Sequence, residues 1–433
     1  MSIPRTLTPS VGEGAGWISR WVRILAAYFT AQTLTQLAGI AAGLLFVNFM
    51  PVRDFALYTL AFSVVNFFNF VTDLGSTTSL VYFFHQSRKE GSDPGPYIRA
   101  VLSLRHAVFA AGVTGVLLAF PRLAEAKGFG LREALLATAG IVLCVWFQIS
   151  QSLRVLVLRL TDRYGRSYRA EMAGGLTRLA LAAALVASAL LKSWLGVLSS
   201  AVGSAVAAFV ARPASVEPDA PEDLRPYRRS VLRYLLPTLP SALYFAVQAP
   251  LTVWLAATFG ATRNIAEVGA LGRLGLLVGI FSTLSGVVFL PRLARIADDR
   301  LYRRRCLQFG AALAAVALAM SAAAALAPGL FLLLLGKHYA GLRHELLLVV
   351  AGAGFSLLDG YVVSVNLARS WTRWQGLAVG SLIAVQAALV AVLPLSTTAG
   401  VLTFNLLGSA AALAGQLAIL TAGFTRPVWV YWK

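Results

Sequence analysis

Ser63, Asn66, Asn69, Asp73 and Thr77 recur every three or four residues inside one long apolar run. In a helix that spacing puts them on one face. The chemistry open to such a stripe is recognition: amides and hydroxyls offer hydrogen bonds to a hydroxylated ligand, and Asp73 offers a charge or an exchangeable proton. Polar groups set deep in hydrocarbon are costly and turn toward protein or water. The stripe therefore reads either as the wall of an aqueous cavity or as a helix contact bridged by asparagine. For Asp73, near the inner end of its run, the competing reading is a helix cap. Arg273 lies inside another apolar run, where it either snorkels outward or lines the cavity as a fixed cation. Guanidinium matches phosphate oxygens in a bidentate manner, which suits a lipid-linked pyrophosphate.

Three further runs carry related residues. The first holds Gln32, Thr35, Gln36, Gly39 and Gly43, with the two glycines spaced for close helix approach and the two glutamines able to line the same cavity. The seventh carries Pro237, Pro240 and Pro250 with Ser241, Tyr244, Gln248 and Thr252; proline removes a hydrogen bond and kinks the helix, as a static bend or as a hinge. In the tenth, Ser356, Asp359 and Asn366 share a face. Asp359 is an ion-coupling candidate beside Asp73, or half of an ion pair. No metal site is expected, because four histidines and two cysteines show no ligand spacing. No nucleotide cofactor is expected either: the Gly329 to Gly336-Lys337 stretch has the wrong spacing for a phosphate-binding loop.

The elements that must position these residues follow from composition. Of 433 residues 58% are hydrophobic and 13% charged, and the mean hydropathy is +0.73. That much apolar surface fits spans of roughly 20 residues each rather than one soluble core. Apolar runs cover 24–50, 55–84, 98–120, 134–159, 171–191, 194–211, 231–259, 266–291, 306–327, 345–368, 375–394 and 398–423. Each is predicted to be helical, since lipid cannot satisfy free backbone groups. The expected fold class is an all-α polytopic membrane protein, with about 12 transmembrane helices in two six-helix bundles enclosing a central cavity.

The charges orient it. Threaded from a cytoplasmic N-terminus, most of the 37 lysines and arginines fall on one side, including Arg23, Arg105, Arg178 and Arg233. The other side keeps Arg53, Arg122, Lys127, Arg132, Lys192, Arg263, Lys337 and Arg343. Short basic loops resist translocation, so both ends are expected in the cytoplasm. The formal charge of +19 reads as topology and contact with anionic headgroups, with no nucleic-acid partner implied. Residues 1–23 lack the apolar core of a signal peptide and read as a cytoplasmic tail. The proline-rich stretch 212–230 divides bundles at 24–211 and 231–423, and 424–433 form a second cytoplasmic tail. No connection is long enough for a folded domain outside the membrane, so an enzyme is not expected.

The run from Leu235-Leu236-Pro237 through Ala266-Glu267-Val268-Gly269 and Gly272-Arg273-Leu274 to Leu290-Pro291-Arg292-Leu293-Ala294-Arg295 resembles the polysaccharide transporter (repeat-unit flippase) family of the multidrug/oligosaccharidyl-lipid/polysaccharide exporter superfamily. Phe55-Ala56-Leu57-Tyr58, Asp73-Leu74-Gly75 and Leu334-Leu335-Gly336-Lys337-His338-Tyr339 agree with it. Ala270-Leu271 depart from it, standing where the family often has tyrosine. The resemblance implies a flippase whose first, second, seventh and eighth spans line a V-shaped cavity. It would move an oligosaccharide on a polyprenyl-pyrophosphate carrier from the cytoplasmic to the periplasmic leaflet of a bacterial inner membrane, for cell-surface polysaccharide synthesis. Arg273, Arg23 and Arg233 would then hold phosphates, and Gln32, Gln36, Asn66, Asn69 and Gln248 would meet sugar hydroxyls. Membrane lipid and other polysaccharide-assembly proteins are the further partners. The alternatives are an ion-coupled small-molecule exporter of the same superfamily, a membrane glycosyltransferase or polymerase, and a scaffold in a sugar-assembly complex. The topology has a direct check: a reporter fused after Lys433 should be active if it works only in the cytoplasm and silent if it works only outside.

Overall fold

The computed structural model describes residues 33–212, 223–284, 293, 296, 298–369, 371 and 373–425, and every regular element among them is helical. Arg23 and Gln32, both end segments of the sequence reading (1–23 and most of 424–433), the centre of the linker and most of the 290–295 motif lie outside the described residues. Helices α1 (Thr33–Phe49), α2 (Val52–Asp73), α3 (Ser76–Glu90), α4 (Gly95–Ala126), α5 (Leu131–Leu160), α6 (Tyr164–Ala187) and α7 (Ser193–Val210) make the first part. Helices α8 (Arg225–Leu235), α9 (Leu239–Phe259), α10 (Thr262–Leu284), α11 (Asp299–Leu326), α12 (Pro328–Leu335), α13 (Arg343–Ala368), α14 (Gln375–Val392) and α15 (Thr398–Thr425) follow. Ten described segments, counting α2 and α3 as one, are long and apolar enough to cross a membrane. With the shorter apolar α1 and the 23-residue α10, twelve crossings result. The chain is a multi-pass membrane protein.

Several elements differ from the sequence reading for local reasons. The run at 55–84 is one crossing broken between α2 and α3, where Leu74 (φ 38°) and Gly75 (φ 83°) take left-handed conformations. The run at 231–259 is also broken. Pro237 sits in a 3₁₀ turn, Leu236–Thr238, between α8 and α9, because its missing N–H and its ring interrupt the helical ladder. Residues 225–230, read as linker, already belong to α8. Pro121, expected to end a span, lies inside α4. Arg105 and Arg178, counted with the cytoplasmic charges but inside the runs 98–120 and 171–191, lie within α4 and α6.

Helix α5 packs on α7, α7 on α6, and α13 on both α11 and α15, while α2 joins the two parts by packing on α9 and α10. Helices α6 and α7 cross closely, and a Cβ on Gly174 would stand 2.8 Å from the Gly203 carbonyl. Small residues permit such approach, which matters because lipid supplies no hydrophobic drive between helices.

At the end assigned to the outside by charge, the main core runs through both parts. Phe46, Met50, Phe55 and Tyr58 from α1 and α2 pack in one cluster with Leu255, Ile265, Leu335 and Tyr339. The seam is fastened by polar contacts. Lys127 donates to the Gly260 carbonyl at 3.0 Å, Thr262 donates to the Lys127 carbonyl at 3.0 Å, and Asn48 donates to the Leu334 carbonyl at 2.6 Å. Gly336 makes the last contact possible. Its φ of 82° and ψ of 177° are open essentially to glycine alone, and a Cβ there would lie 2.5 Å from the Asn48 amide oxygen. Gly336→Ala is expected to destabilise the protein by about 1–3 kcal/mol from backbone strain. A lowered thermal unfolding midpoint of the purified protein in detergent checks this.

Candidate functional site

Next to this seam lies a cavity of about 670 Å³ walled by α2, α9, α10, α13 and α15. Arg273 of α10 and Asn66 of α2 line it with Thr252, Ser356 and Asn405. Along α10, Gly269, Gly272, Gly275 and Gly279 also line it. A Cβ on Gly272 or Gly279 would meet nothing within 4 Å, so at those two positions the wall is open backbone beside the Arg273 guanidinium, with Val268 and Leu276 as its apolar side chains. On the far side of that guanidinium, a Cβ on Gly43 would stand 3.1 Å from the Arg273 side chain. The sequence reading gave Gly43 a helix-packing role; what it admits is an arginine.

Arg273 leans on rings. Its guanidinium lies 5.6 Å from the centroids of both Tyr58 and Phe62, and one terminal nitrogen is 3.5 Å from the Tyr58 hydroxyl. Among the described residues no carboxylate lies within 4.0 Å of it. Aromatic faces stabilise a cation without neutralising it, so its positive charge remains available to the cavity. Arg273 is half-buried and stands in the cavity wall.

The remaining candidates separate. Asn69 donates to the Gln148 side chain of α5, which is the helix-bridging alternative. Asp73 pairs with Arg105, itself 3% exposed, and accepts from Ser76, from the Thr77 hydroxyl at 2.6 Å and from the Thr77 backbone at 3.3 Å. It caps α3 just beyond the left-handed turn. Arg105 adds bonds to Ser76 at 2.7 Å and to Ser152 at 2.9 Å. Gln248 accepts from Gln386 at 2.9 Å, and Gln386 accepts from Tyr244 at 3.2 Å, a network joining α9 to α14. Gln36 is half-buried in α1 with partners of its own and is not part of the cavity wall. Arg233 is exposed on α8.

Asp359 behaves otherwise. It lies in α13, and one of its carboxylate oxygens is buried with no hydrogen-bond partner. No arginine, lysine or histidine within the described residues pairs with it. Ser356, one turn earlier, bonds Ser409 at 3.0 Å.

Sequence reasoning missed Asn405, Gln386 and Gln148. Each is a lone amide in an apolar run, and the only available signal was that isolation, since an amide in hydrocarbon needs a partner. It also missed Trp254, whose indole donates to Ser63 at 3.1 Å and whose ring meets Phe67 at 5.0 Å, fastening α9 to α2 beside the cavity. Among the described residues no group of three or more histidine, cysteine, aspartate or glutamate side chains could hold a metal.

No family model matches the sequence, and no match is found among curated protein sequences. Solved structures do match. The lipid II flippase MurJ in an inward closed conformation aligns with TM-score 0.70 at 13% identity, over 92% of this chain and 88% of that one. A multidrug-resistance MATE transporter of the MOP superfamily, inward-facing, aligns with TM-score 0.60 at 16% identity, over 91% of this chain and 96% of the other. A MOP-superfamily transporter from Pyrococcus furiosus aligns with TM-score 0.54 at 15% identity, over 94% and 96%. The chain shares the fold of these solved structures.

The two embedded arginines are expected to separate in a stability measurement. Arg105→Gln leaves Asp73 without its cation and should cost about 3–5 kcal/mol, toward the low end because the Asp73 side chain is 38% exposed. Arg273→Gln breaks no ion pair and should leave the unfolding midpoint within a few degrees of wild type. Equal losses would give the two arginines the same structural role.

Proposed function

We propose that this protein is a flippase. It moves a polyprenyl-pyrophosphate-linked oligosaccharide from the cytoplasmic to the periplasmic leaflet of a bacterial inner membrane, for cell-surface polysaccharide synthesis. The observation that carries the reading is Arg273, a guanidinium held on two aromatic faces, without a carboxylate partner among the described residues, in the wall of a 670 Å³ cavity. A lipid pyrophosphate is the anion such a fork fits. Sugar hydroxyls and phosphate cannot cross bare hydrocarbon without a large desolvation cost, and Asn66 and Asn405 in the same wall offer hydrogen bonds in its place. The glycine-lined side of α10 leaves room for the sugars. The polyprenyl tail stays in lipid.

The cycle in this reading is alternating access between two bundles, 24–211 and 231–423, with both chain ends in the cytoplasm. The seam between Lys127 and Gly260 closes the outer end in the state described here. Arg23 and Arg233 would gather phosphates at the inner mouth, with Gln32 and Gln36 contributing to the sugar path. Asn69 and Gln248 would join it once their present partners release them, and Asp73 would stay a cap. No bond chemistry is required of the protein, in keeping with the transporter character of its structural relatives.

A second reading, an ion-coupled small-molecule exporter, is favoured by Asp359. A buried carboxylate without a partner is the group a proton or cation would use. The two readings part in one experiment. In cells depleted of the protein, lipid-linked saccharide should accumulate on the inner leaflet, shielded from a membrane-impermeant sugar-modifying enzyme until spheroplasts are lysed. Complementation with Arg273→Ala should fail at normal expression, and complementation with the exposed Arg132→Ala should succeed. Saccharide already accessible from outside, together with new drug sensitivity, would favour the exporter.

A further inference from the structure

A second concavity, of about 450 Å³, opens on the assigned outer face. That is within the roughly 300–1,000 Å³ typical of small-ligand sites. Arg53 and Lys127 from the first part face Arg263, Glu267, His338 and Tyr339 from the second. Three permanent cations stand against one carboxylate, and that carboxylate is already engaged. Glu267 accepts from Arg263 at 2.8 Å and from Thr398 at 2.6 Å. Glu133 reaches Arg53 at 3.7 Å without lining the pocket.

Two independent features suit an anion. Thr262, also in the lining, is the first residue of α10, so the positive dipole end of a 23-residue helix lies at the pocket. Tyr339, 1% exposed, borders the same pocket, and its hydroxyl has no hydrogen-bond partner. Burial, and secondarily Glu267, push that hydroxyl's ionisation upward against a smaller opposing effect of Arg263. At neutral pH it is a donor without an acceptor.

We propose that this pocket binds a phosphate-bearing anion, free phosphate or a phospholipid headgroup of the outer leaflet, and that the bound anion holds the outer seam closed. The pocket walls come from both sides of the contact between Lys127 and Gly260. A ligand touching both sides binds the closed seam more tightly than an open one and shifts the population toward it. The cargo of the central cavity plays no part in this, so the inference stands apart from the flippase reading.

The test uses full-length protein in nanodiscs of phosphatidylcholine, with spin labels on Arg132→Cys and Ala261→Cys across the seam. Both native cysteines are buried and escape labelling. Inorganic phosphate and pyrophosphate, against chloride at equal ionic strength, should narrow the distance distribution if the source is soluble. Phosphatidylglycerol in the nanodisc should narrow it without added phosphate if the source is lipid. In isothermal titration of the responding anion, Tyr339→Phe and Arg53→Gln should each weaken binding by about fivefold, as for loss of one net hydrogen bond. Arg122→Gln, exposed and outside both cavities, should bind as wild type. The proposal is overturned if neither phosphate nor phosphatidylglycerol shifts the seam. It is equally overturned if Tyr339→Phe and Arg53→Gln both bind as wild type, or if Arg273→Gln abolishes binding and so moves the site to the central cavity.

Discussion

A guanidinium inside a membrane can be stabilised by a carboxylate or kept wet against aromatic faces, and this chain does both. Arg105 takes the first course with Asp73, tying α4 to the α2–α3 break. Arg273 takes the second, against Tyr58 and Phe62. The consequences diverge. A paired charge shows little field to its surroundings and fixes local geometry, whereas an unpaired one imposes requirements on everything near it. It needs room, which Gly43 supplies. It also needs polar surroundings, and Asn66, Thr252 and Asn405 line the same cavity. Much of the arrangement of α1, α2 and α10 follows from housing that single group.

The apolar part of the outer core runs without interruption from α1 and α2 into α10, α12 and the turn after it, and three hydrogen bonds across the seam join opposite walls. All three use backbone carbonyls as acceptors. Such contacts are geometrically definite yet individually modest, about 0.5–1.5 kcal/mol net each, so the closure is specific without being permanent.

Much of this was legible in the residues. The number of crossings followed from hydropathy, and the stripe on α2 announced that polar groups would face protein or cavity. Which group did which was not legible. Asn66 and Asn69 are three residues apart in one stripe, yet one lines the cavity and the other bridges to Gln148, because the outcome depends on what α5 offers opposite. Asp73 was read as coupling group or cap, and its pairing with Arg105, a residue of another run, could not be foreseen from the stripe alone. Arg273 could be read more surely. A lone cation flanked by glycines on its own helix has few ways to be satisfied except by a cavity.

Helix α8 has a place in this scheme that its sequence does not suggest. By chain it leads into α9. By packing it belongs with α3 and α4: Tyr234 stacks on Tyr82 at 5.1 Å, Tyr227 meets Tyr97 at 4.9 Å, and Arg228 donates to Ser103 at 2.7 Å. Val231 and Leu235 share a core cluster with Leu80 and Val101. The helix is thus moored to one body while its C-terminal end is spliced to a strut of the other, with only Leu236, Pro237 and Thr238 between. Any pivoting of α9 against α3 and α4 concentrates its torsion in those three residues.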